Sequence, residues 1–435
     1  MNRVAVVGSG PAGFYTILRI LKKRAVHVDL FEALPVPYGL TRFGVAPDHP
    51  EVRNCQERFA EVAGSPHFRF YGNTTVGKDV SVSQLLQNYH AVVFAYGAET
   101  SRGLNVPGSQ LPGVISARDF VGWYNGEPAK QGLKFTLDRT EDVSIVGNGN
   151  VALDVARVLL RQPDDLRSTD MPEHAIAALT KSTVKKVHIV GRRGPVQSAF
   201  TTKELRELLV EPQVQLDPIV NLTEYIELAK PLGRAEKRKM ELLLKGSTSP
   251  SAQRTWSLDF MQSPSEFKGE GDLLQSIEWT INTFAPGSKS DVVPTEKSVT
   301  TPTDLAVLSI GYKSVELPGM KEAGMTFIKD KGILENHRGH VTGVPGAFAA
   351  GWLKTGPTGV IASTMMDAFS VGDEVVSYLE SVANTKLPGA DDLDLPYAVS
   401  WNDWLEIDRQ EIDRGKSYGK PREKFVSVPD MLNAL

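Results

Sequence analysis

Two glycine-rich turns constrain this chain more than any other feature. Each follows a short apolar strand and opens an amphipathic helix. The first is Gly8-Ser9-Gly10-Pro11-Ala12-Gly13, after a strand from Arg3 to Val7, with Phe14, Ile17, Leu18 and Leu21 as the helix stripe. The second is Gly147-Asn148-Gly149-Asn150-Val151-Ala152, after a strand from Val143, with Val151, Ala152, Val155, Ala156, Leu159 and Leu160 as the stripe. Such a turn lets backbone N–H groups approach a pyrophosphate at a helix N-terminus, where the helix dipole favours negative charge. Each stretch therefore reads as the start of a dinucleotide-binding unit.

The second strand of each unit ends differently. Val26 to Phe31 runs into Glu32, close to the roughly 20-residue spacing expected of an acid that accepts from a ribose hydroxyl. Val187 to Val190 runs through Gly191 into Arg192 and Arg193. Two guanidiniums at that place would clamp a 2′-phosphate. The acid-ended unit suits FAD, and the arginine-ended unit suits NADPH/NADP(+).

Composition narrows what such a pair of sites can serve. Lys plus Arg is 48 and Asp plus Glu is 52, a net charge of -4 over 435 residues. That gives no global case for a nucleic-acid partner, so a basic docking surface would have to be local. No apolar run approaches the roughly 18 residues of a membrane span. Cys55 is the single cysteine and shares an apolar helix face with Val52, Phe59 and Val62, so it reads as an inert core thiol. One cysteine excludes an internal disulfide, a Cys-x-x-Cys redox centre and an Fe–S cluster ligated within this chain. No metal site is expected. The chain enters a strand at Arg3 with no presequence, which fits a cytoplasmic protein or the mature form of an imported one.

Apolar strands at Ala91 to Ala98 and Leu305 to Tyr312 mark the crossings of a nested architecture. The expected fold class is α/β, with two Rossmann-like dinucleotide-binding domains, one inserted into the other. The expected parts are residues 1–103 and 314–435 for the FAD-binding domain, and 104–313 for the NADPH-binding domain. The turn-rich segment Pro35 to Pro50 reads as a lid or flavin cradle. Pro163 to Ser182 is an insertion before the return strand of the second unit. Arg234 to Lys245 reads as a helix with Arg234, Arg238 and Lys245 on one face and Leu242 to Leu244 on the apolar side. Thr255 to Thr303 reads as strands and polar turns. A helix from Trp401 to about Arg414 is expected to stop at Gly415.

Taken together, these residues resemble the adrenodoxin reductase family, the mitochondrial-type ferredoxin–NADP(+) reductases. The resemblance spans nearly the whole chain. It is carried by the strings around Gly8, Gly44 to Pro50, Gly149 to Arg157, Val190 to Pro195, Ala199 to Thr201, Glu204 to Leu208, Gly351-Trp352 and Gly356 to Ile361. It implies a glutathione-reductase-like flavoprotein without redox cysteines, passing electrons from NADPH through FAD to an acidic [2Fe-2S] ferredoxin. Those electrons would feed haem monooxygenases, or Fe–S and haem biosynthesis. With the fingerprint glycines Gly8, Gly10 and Gly13, the resemblance implies FAD contacts at Ala12, Glu32, Leu40, Val76, Trp352, Gly359, Val360 and Ile361. It implies NADP contacts at Asn148, Gly149, Asn150, Val151, Arg192, Arg193, Glu204 and Gly359. It places ferredoxin docking at Arg234 and Arg238, in a run diluted by Ala235 and Glu236. His49 and Glu204 would hold the flavin and nicotinamide rings and relay a proton. The implied setting is the mitochondrial matrix, with the bacterial cytoplasm as the alternative. The implied state is a monomer, with room for a peripheral inner-membrane association.

Each residue also has a plainer reading. His49 lies between Asp48 and Pro50, which is good turn chemistry. Glu204, and the pair Arg234 and Arg238, suit solvated helix faces. Trp352 suits a core aromatic. Two rival functions remain open at this level: a flavin-dependent monooxygenase, and a nucleotide-binding electron-transfer scaffold without turnover.

Overall fold

The computed structural model describes residues 1–247, 249, 252–271, 273–383 and 385–435. Asp272, inside the strand-rich stretch expected from Thr255, lies outside them. The chain divides into two compact units: residues 1–102, 125–131 and 311–435, and residues 103–124 and 132–310.

The first unit is built on a seven-stranded sheet. Five of its strands are parallel, in the order Ala347–Ala349, Ala91–Phe94, Arg3–Val7, His27–Phe31, Phe68–Tyr71. Successive side chains point to opposite faces of a strand, and here both faces are buried. Val4, Val6, Val28, Leu30 and Val93 pack on one side with Phe14 and Ile17 of helix Pro11–Lys23 and Val371 and Val375 of helix Ile361–Ser381. Ala5, Val7, Phe31, Val92 and Phe94 pack on the other with Met320, Leu334 and Leu353. Such near-continuous apolar strands are what a sheet covered on both faces needs. Arg19 and Lys23 both reach Asp373 at 2.7 Å, tying the two helices together along their exposed edge.

The C-terminal helix Trp401–Lys416 belongs to the same unit. Its Glu411, 0% exposed, meets the 4%-exposed Arg42 of helix Leu40–Phe43 at 2.6 Å. Glu411 also accepts from the Phe425 N–H at 2.9 Å. The expected stop at Gly415 gives way to a helix that runs through it. A Cβ there would stand 2.5 Å from the Arg422 backbone, so the glycine admits the returning chain rather than ending the helix.

The second unit carries six parallel strands in the order Val114–Ser116, Leu305–Leu308, Asp142–Val146, Lys186–Gly191, Arg254–Phe260, Val214–Leu216. One face packs on helices Asn150–Leu160, Glu173–Thr180, Thr202–Leu209 and Arg234–Lys245 through residues such as Leu153, Ile176, Leu205 and Met240. Val146, Val190 and Ala306 on the other face meet Phe267, Ile277 and Trp279. Those three come from an antiparallel sheet of strands Gln262–Glu270, Leu273–Phe284 and Val292–Pro302.

Three details depart from the expectations. The insertion at Pro163 to Ser182 is part of the core, since Leu166, Met171, Ile176 and Leu179 are all buried in it. In helix Arg234–Lys245 the buried side is Lys239, Met240 and Leu243, while Leu244 is 58% exposed. The unit borders fall between Arg102 and Gly103 and between Ile310 and Gly311, and residues 125–131 join the first unit. There the buried Asn125 accepts from Arg53 through its side chain and from Lys424 through its carbonyl.

Candidate dinucleotide sites

In the first unit, helix Pro11–Lys23 starts at Gly10 with no side-chain cap. Apart from its own chain neighbours, no heavy atom of the described residues lies within 4 Å of where a Gly10 Cβ would sit. Gly8, at φ +102°, brings its backbone against Tyr96, whose Cα would be 2.5 Å from an added Cβ. Orphan N–H groups at an uncapped helix start need a partner, and a pyrophosphate fits both their charge and the space. Ala12 and Gly13 are buried in the first turn. Glu32 closes the site: Ser9 donates to one carboxylate oxygen from its N–H (3.0 Å) and hydroxyl (2.6 Å), and the Leu34 N–H donates to the other (3.0 Å). Ser9 was not legible as a functional residue, because it occupies a variable position of the fingerprint.

The Tyr38 N–H donates to the Ser9 carbonyl at 3.0 Å, folding the turn-rich segment back onto the fingerprint and placing Leu40 at the start of a short helix. His49 is buried, and its carbonyl accepts from the Val52 N–H at 3.2 Å at the start of the 3-10 turn Pro50–Asn54. Val76 lies in the core with Phe31 and Val80. Trp352 is half-buried, its ring 5.5 Å from that of Tyr312. Gly359 and Val360 are exposed at the start of helix Ile361–Ser381, where the Val360 N–H donates to the Ser363 hydroxyl at 3.0 Å.

The second unit repeats the plan. Helix Asn150–Leu160 starts at Gly149 with no side-chain cap and open space where a Cβ would point. Gly147, at φ +113°, packs its backbone against the Ser309 carbonyl at the end of the neighbouring strand. The Asn148 carbonyl accepts from the Ala199 N–H at 3.2 Å, and the Asn150 side chain accepts from the Thr201 N–H at 2.8 Å. Segment 195–201 is thereby fastened across the turn, with Val151 packed on the core behind it. Arg192 is exposed and Arg193 half-buried. Among the described residues neither guanidinium has an ion-pair partner, so two adjacent cations stand uncompensated at the strand end.

Glu204 lies in the first turn of helix Thr202–Leu209, where its carboxylate accepts from the hydroxyl of the N-cap Thr201. That contact holds the carboxylate against the start of the helix, where the Thr201 side chain is the cap, accepting from the Lys203 N–H. Arg234 and Arg238 line one groove of about 760 Å³ together with Arg206, Lys237, Lys245 and a single acid, Glu241. Arg206 joins the patch only once its helix packs against that of Arg234, whereas Lys237 lies on the same helix, one turn after Arg234. The 8%-exposed Lys239 turns inward instead, donating to the Ser198 carbonyl at 2.7 Å. Burial lowers its amine below the usual lysine range. Among the described residues no three acidic, histidine or cysteine side chains gather as metal ligands, and no helix is long and apolar enough to cross a membrane.

Comparison with known proteins agrees with this plan. Residues 2–230 match the family model of the pyridine nucleotide-disulphide oxidoreductases. The chain is 43% identical to NADPH:adrenodoxin oxidoreductase, mitochondrial, of Bos taurus, over 100% of this chain and 92% of that protein. It is 37% identical to NADPH-ferredoxin reductase FprA of Mycobacterium leprae, over 99% of this chain and 98% of that one. The solved structure of Mycobacterium tuberculosis FprA in complex with NADPH superposes with a TM-score of 0.92 at 36% identity, covering 100% and 99% of the two chains. The likeness to T. acidophilum thioredoxin reductase, at 15% identity and a TM-score of 0.50 over 88% of this chain and 100% of that one, extends only to the fold. With two uncapped glycine turns, each at the end of a parallel strand, and relatives matched over nearly their whole length, the chain belongs to the adrenodoxin reductase family of the pyridine nucleotide-disulphide oxidoreductases.

Proposed function

We propose that this chain is an FAD-dependent NADPH:ferredoxin oxidoreductase that delivers electrons to an acidic [2Fe-2S] ferredoxin. The observation that carries this reading is the uncompensated pair Arg192 and Arg193 at the end of strand Lys186–Gly191, beside an uncapped helix start. An NADH enzyme would place an acid there. FAD, when bound, supplies the conversion of a hydride into electrons released one at a time.

The residues of the chain bind and orient. In the first unit, the FAD-binding domain of this proposal, Gly8, Gly10, Ala12 and Gly13 cradle the pyrophosphate. Glu32, aimed by Ser9, accepts from the adenosine ribose. Leu40, Val76, Trp352, Gly359, Val360 and Ile361 complete the flavin contacts. In the second, NADPH-binding unit, Asn148 to Val151 hold the pyrophosphate and the arginine pair holds the 2′-phosphate. His49 and Glu204 are assigned as ring-orienting residues, each for the cofactor of its own unit. The groove of Arg206, Arg234, Lys237, Arg238 and Lys245 suits an acidic partner surface, steering encounter more than adding affinity.

The reading includes a monomer, in the mitochondrial matrix, in at most peripheral contact with the inner membrane. Relatives from several animals and a fission yeast carry "mitochondrial" in their names. One relative is from Mycobacterium leprae and carries no such word, so the bacterial cytoplasm is the alternative. The deciding experiment is an anaerobic titration of the purified yellow protein with NADPH and with NADH, followed by ferredoxin-dependent cytochrome c reduction. Bleaching of the flavin by NADPH at low concentration, with NADH far weaker, is expected. A colourless protein after FAD is supplied, or equal response to both nucleotides, would overturn it.

A further inference from the structure

Neighbouring side chains on an extended strand point to opposite faces. Two adjacent arginines can therefore close on one phosphate only if the backbone leaves strand geometry between them. It does so here: the strand ends at Gly191, and Arg192 and Arg193 form a bend. Both carbonyls of that bend are held, one by a residue of the antiparallel sheet and one by the residue that leads into it. The Asn282 side-chain amide donates to the Arg192 carbonyl at 2.9 Å. The Met261 N–H donates to the Arg193 carbonyl at 3.2 Å.

Asn282 is built for this contact. It is 7% exposed, and its amide also donates to the Ser263 hydroxyl at 2.9 Å. Its backbone N–H donates to the Met261 carbonyl at 2.7 Å, so the two clasps are joined. The ladder between strands Leu273–Phe284 and Val292–Pro302 shifts register between Thr280 and Asn282. A bulge of this kind re-aims a side chain that regular pairing would direct elsewhere. Met261 itself takes φ +58°, the left-handed region, between strands Arg254–Phe260 and Gln262–Glu270.

We propose that Asn282 is a positioning residue for cofactor specificity, holding the Arg192–Arg193 bend so that both guanidiniums face one 2′-phosphate. The inference rests on the reading of that pair as the 2′-phosphate clamp. An amide lost from this site would leave the arginines in place but free to diverge. Recognition of the 2′-phosphate should then fall while the rest of the nucleotide binds as before.

The test uses the FAD-loaded full chain and two probes, 2′,5′-ADP and 5′-ADP, titrated calorimetrically. Asn282→Ala should weaken 2′,5′-ADP about tenfold, the scale of a hydrogen bond to a group that orients charge, and change 5′-ADP less than twofold. In an R192A/R193A background the same substitution should have no further effect, which a merely structural role would not produce. Equal weakening of both probes, or none, beside a selective loss in R192A/R193A, overturns the role of Asn282 and leaves the clamp standing. An R192A/R193A protein that binds 2′,5′-ADP normally overturns the clamp and with it this inference. Should Asn282→Ala not fold, Ser263→Ala removes only the amide's second acceptor. A selective loss of about threefold is expected there, and no selective loss overturns the proposal.

Discussion

A Cβ placed on Gly351 would stand 2.5 Å from the Cβ of Ala12. Two segments from opposite ends of the chain thus meet at the first turn of the fingerprint helix, with no room for a methyl group between them. Gly351 takes φ +61°, and its N–H donates to Asp367 at 3.0 Å, whose other oxygen accepts from Lys354 at 2.6 Å. Gly351→Ala combines a clash with a disfavoured backbone and should cost about 1–3 kcal/mol. A lowered melting temperature and a reduced FAD-to-protein ratio are the expected measurements. A variant that keeps full flavin content and wild-type melting would show that this approach is not tight.

Charge reversal at the strand end should separate the two nicotinamide nucleotides. Arg192→Glu and Arg193→Glu should each raise the KM for NADPH about 10- to 100-fold, from loss of charge-assisted hydrogen bonds worth about 1.5–3 kcal/mol. KM for NADH should stay within about twofold, an estimate that takes the rest of the site as unchanged. Steady-state diaphorase assays with both nucleotides read this directly.

The basic groove should matter to one acceptor and not another. Arg238→Glu, and equally Arg206→Glu, should slow cytochrome c reduction through ferredoxin while sparing ferricyanide reduction. Added salt should reproduce the defect in the unaltered protein by screening exposed charges. Parallel loss in both assays would point to disturbed folding of the two packed helices instead.

Acid should loosen the clamp between helices Pro11–Lys23 and Ile361–Ser381. The hydrogen bond from Arg19, outweighing burial and aided by Lys23, holds the Asp373 carboxyl down to about 2. An unfolded aspartate titrates near ~3.9. The depressed group therefore adds stability that is complete above that value and is lost as pH falls through about 2. Denaturation curves for Asp373→Asn should show a shallower loss of stability between pH 4 and 2 than the unaltered protein. Identical slopes would mean that the ion pair contributes nothing in solution.

The interior ion pair should respond asymmetrically. Removing one partner, as in Glu411→Ala, strands the buried Arg42 guanidinium and should cost about 3–5 kcal/mol. The double variant Arg42→Met/Glu411→Leu should recover only part of that loss, because the Phe425 N–H also loses its acceptor. Chemical denaturation of the three proteins decides the matter.

The two dinucleotide units were legible because their signals are local. Each turn, strand end and helix stripe falls within one short stretch, and the backbone there follows from residue type alone. Glu32 and the arginine pair could be placed for the same reason. What surrounds them could not. Ser9, Asn282 and Arg206 act through partners brought together by tertiary pairing. Asn282 sits at a bulge that no alternation of polar and apolar residues announces. Gly415 misled because a glycine that ends a helix and one that admits a crossing chain look the same in sequence. Leu244 misled because three consecutive leucines cannot all face one side of a helix with 3.6 residues per turn. Asn125 escaped because a short segment returning to the first unit leaves no shift in composition.

The strand order of the first sheet bears on how the molecule is made. Strand Ala91–Phe94 pairs on one side with Arg3–Val7 and on the other with Ala347–Ala349. The ribosome must therefore thread out every residue of the second unit before the first can close its ladder. Domains generally fold as units during synthesis, so the sheet that begins the polypeptide is the last to be finished. Until Ala347–Ala349 emerges, the nascent strand Ala91–Phe94 presents a bare edge, a vulnerability to mispairing that a chaperone would have to cover.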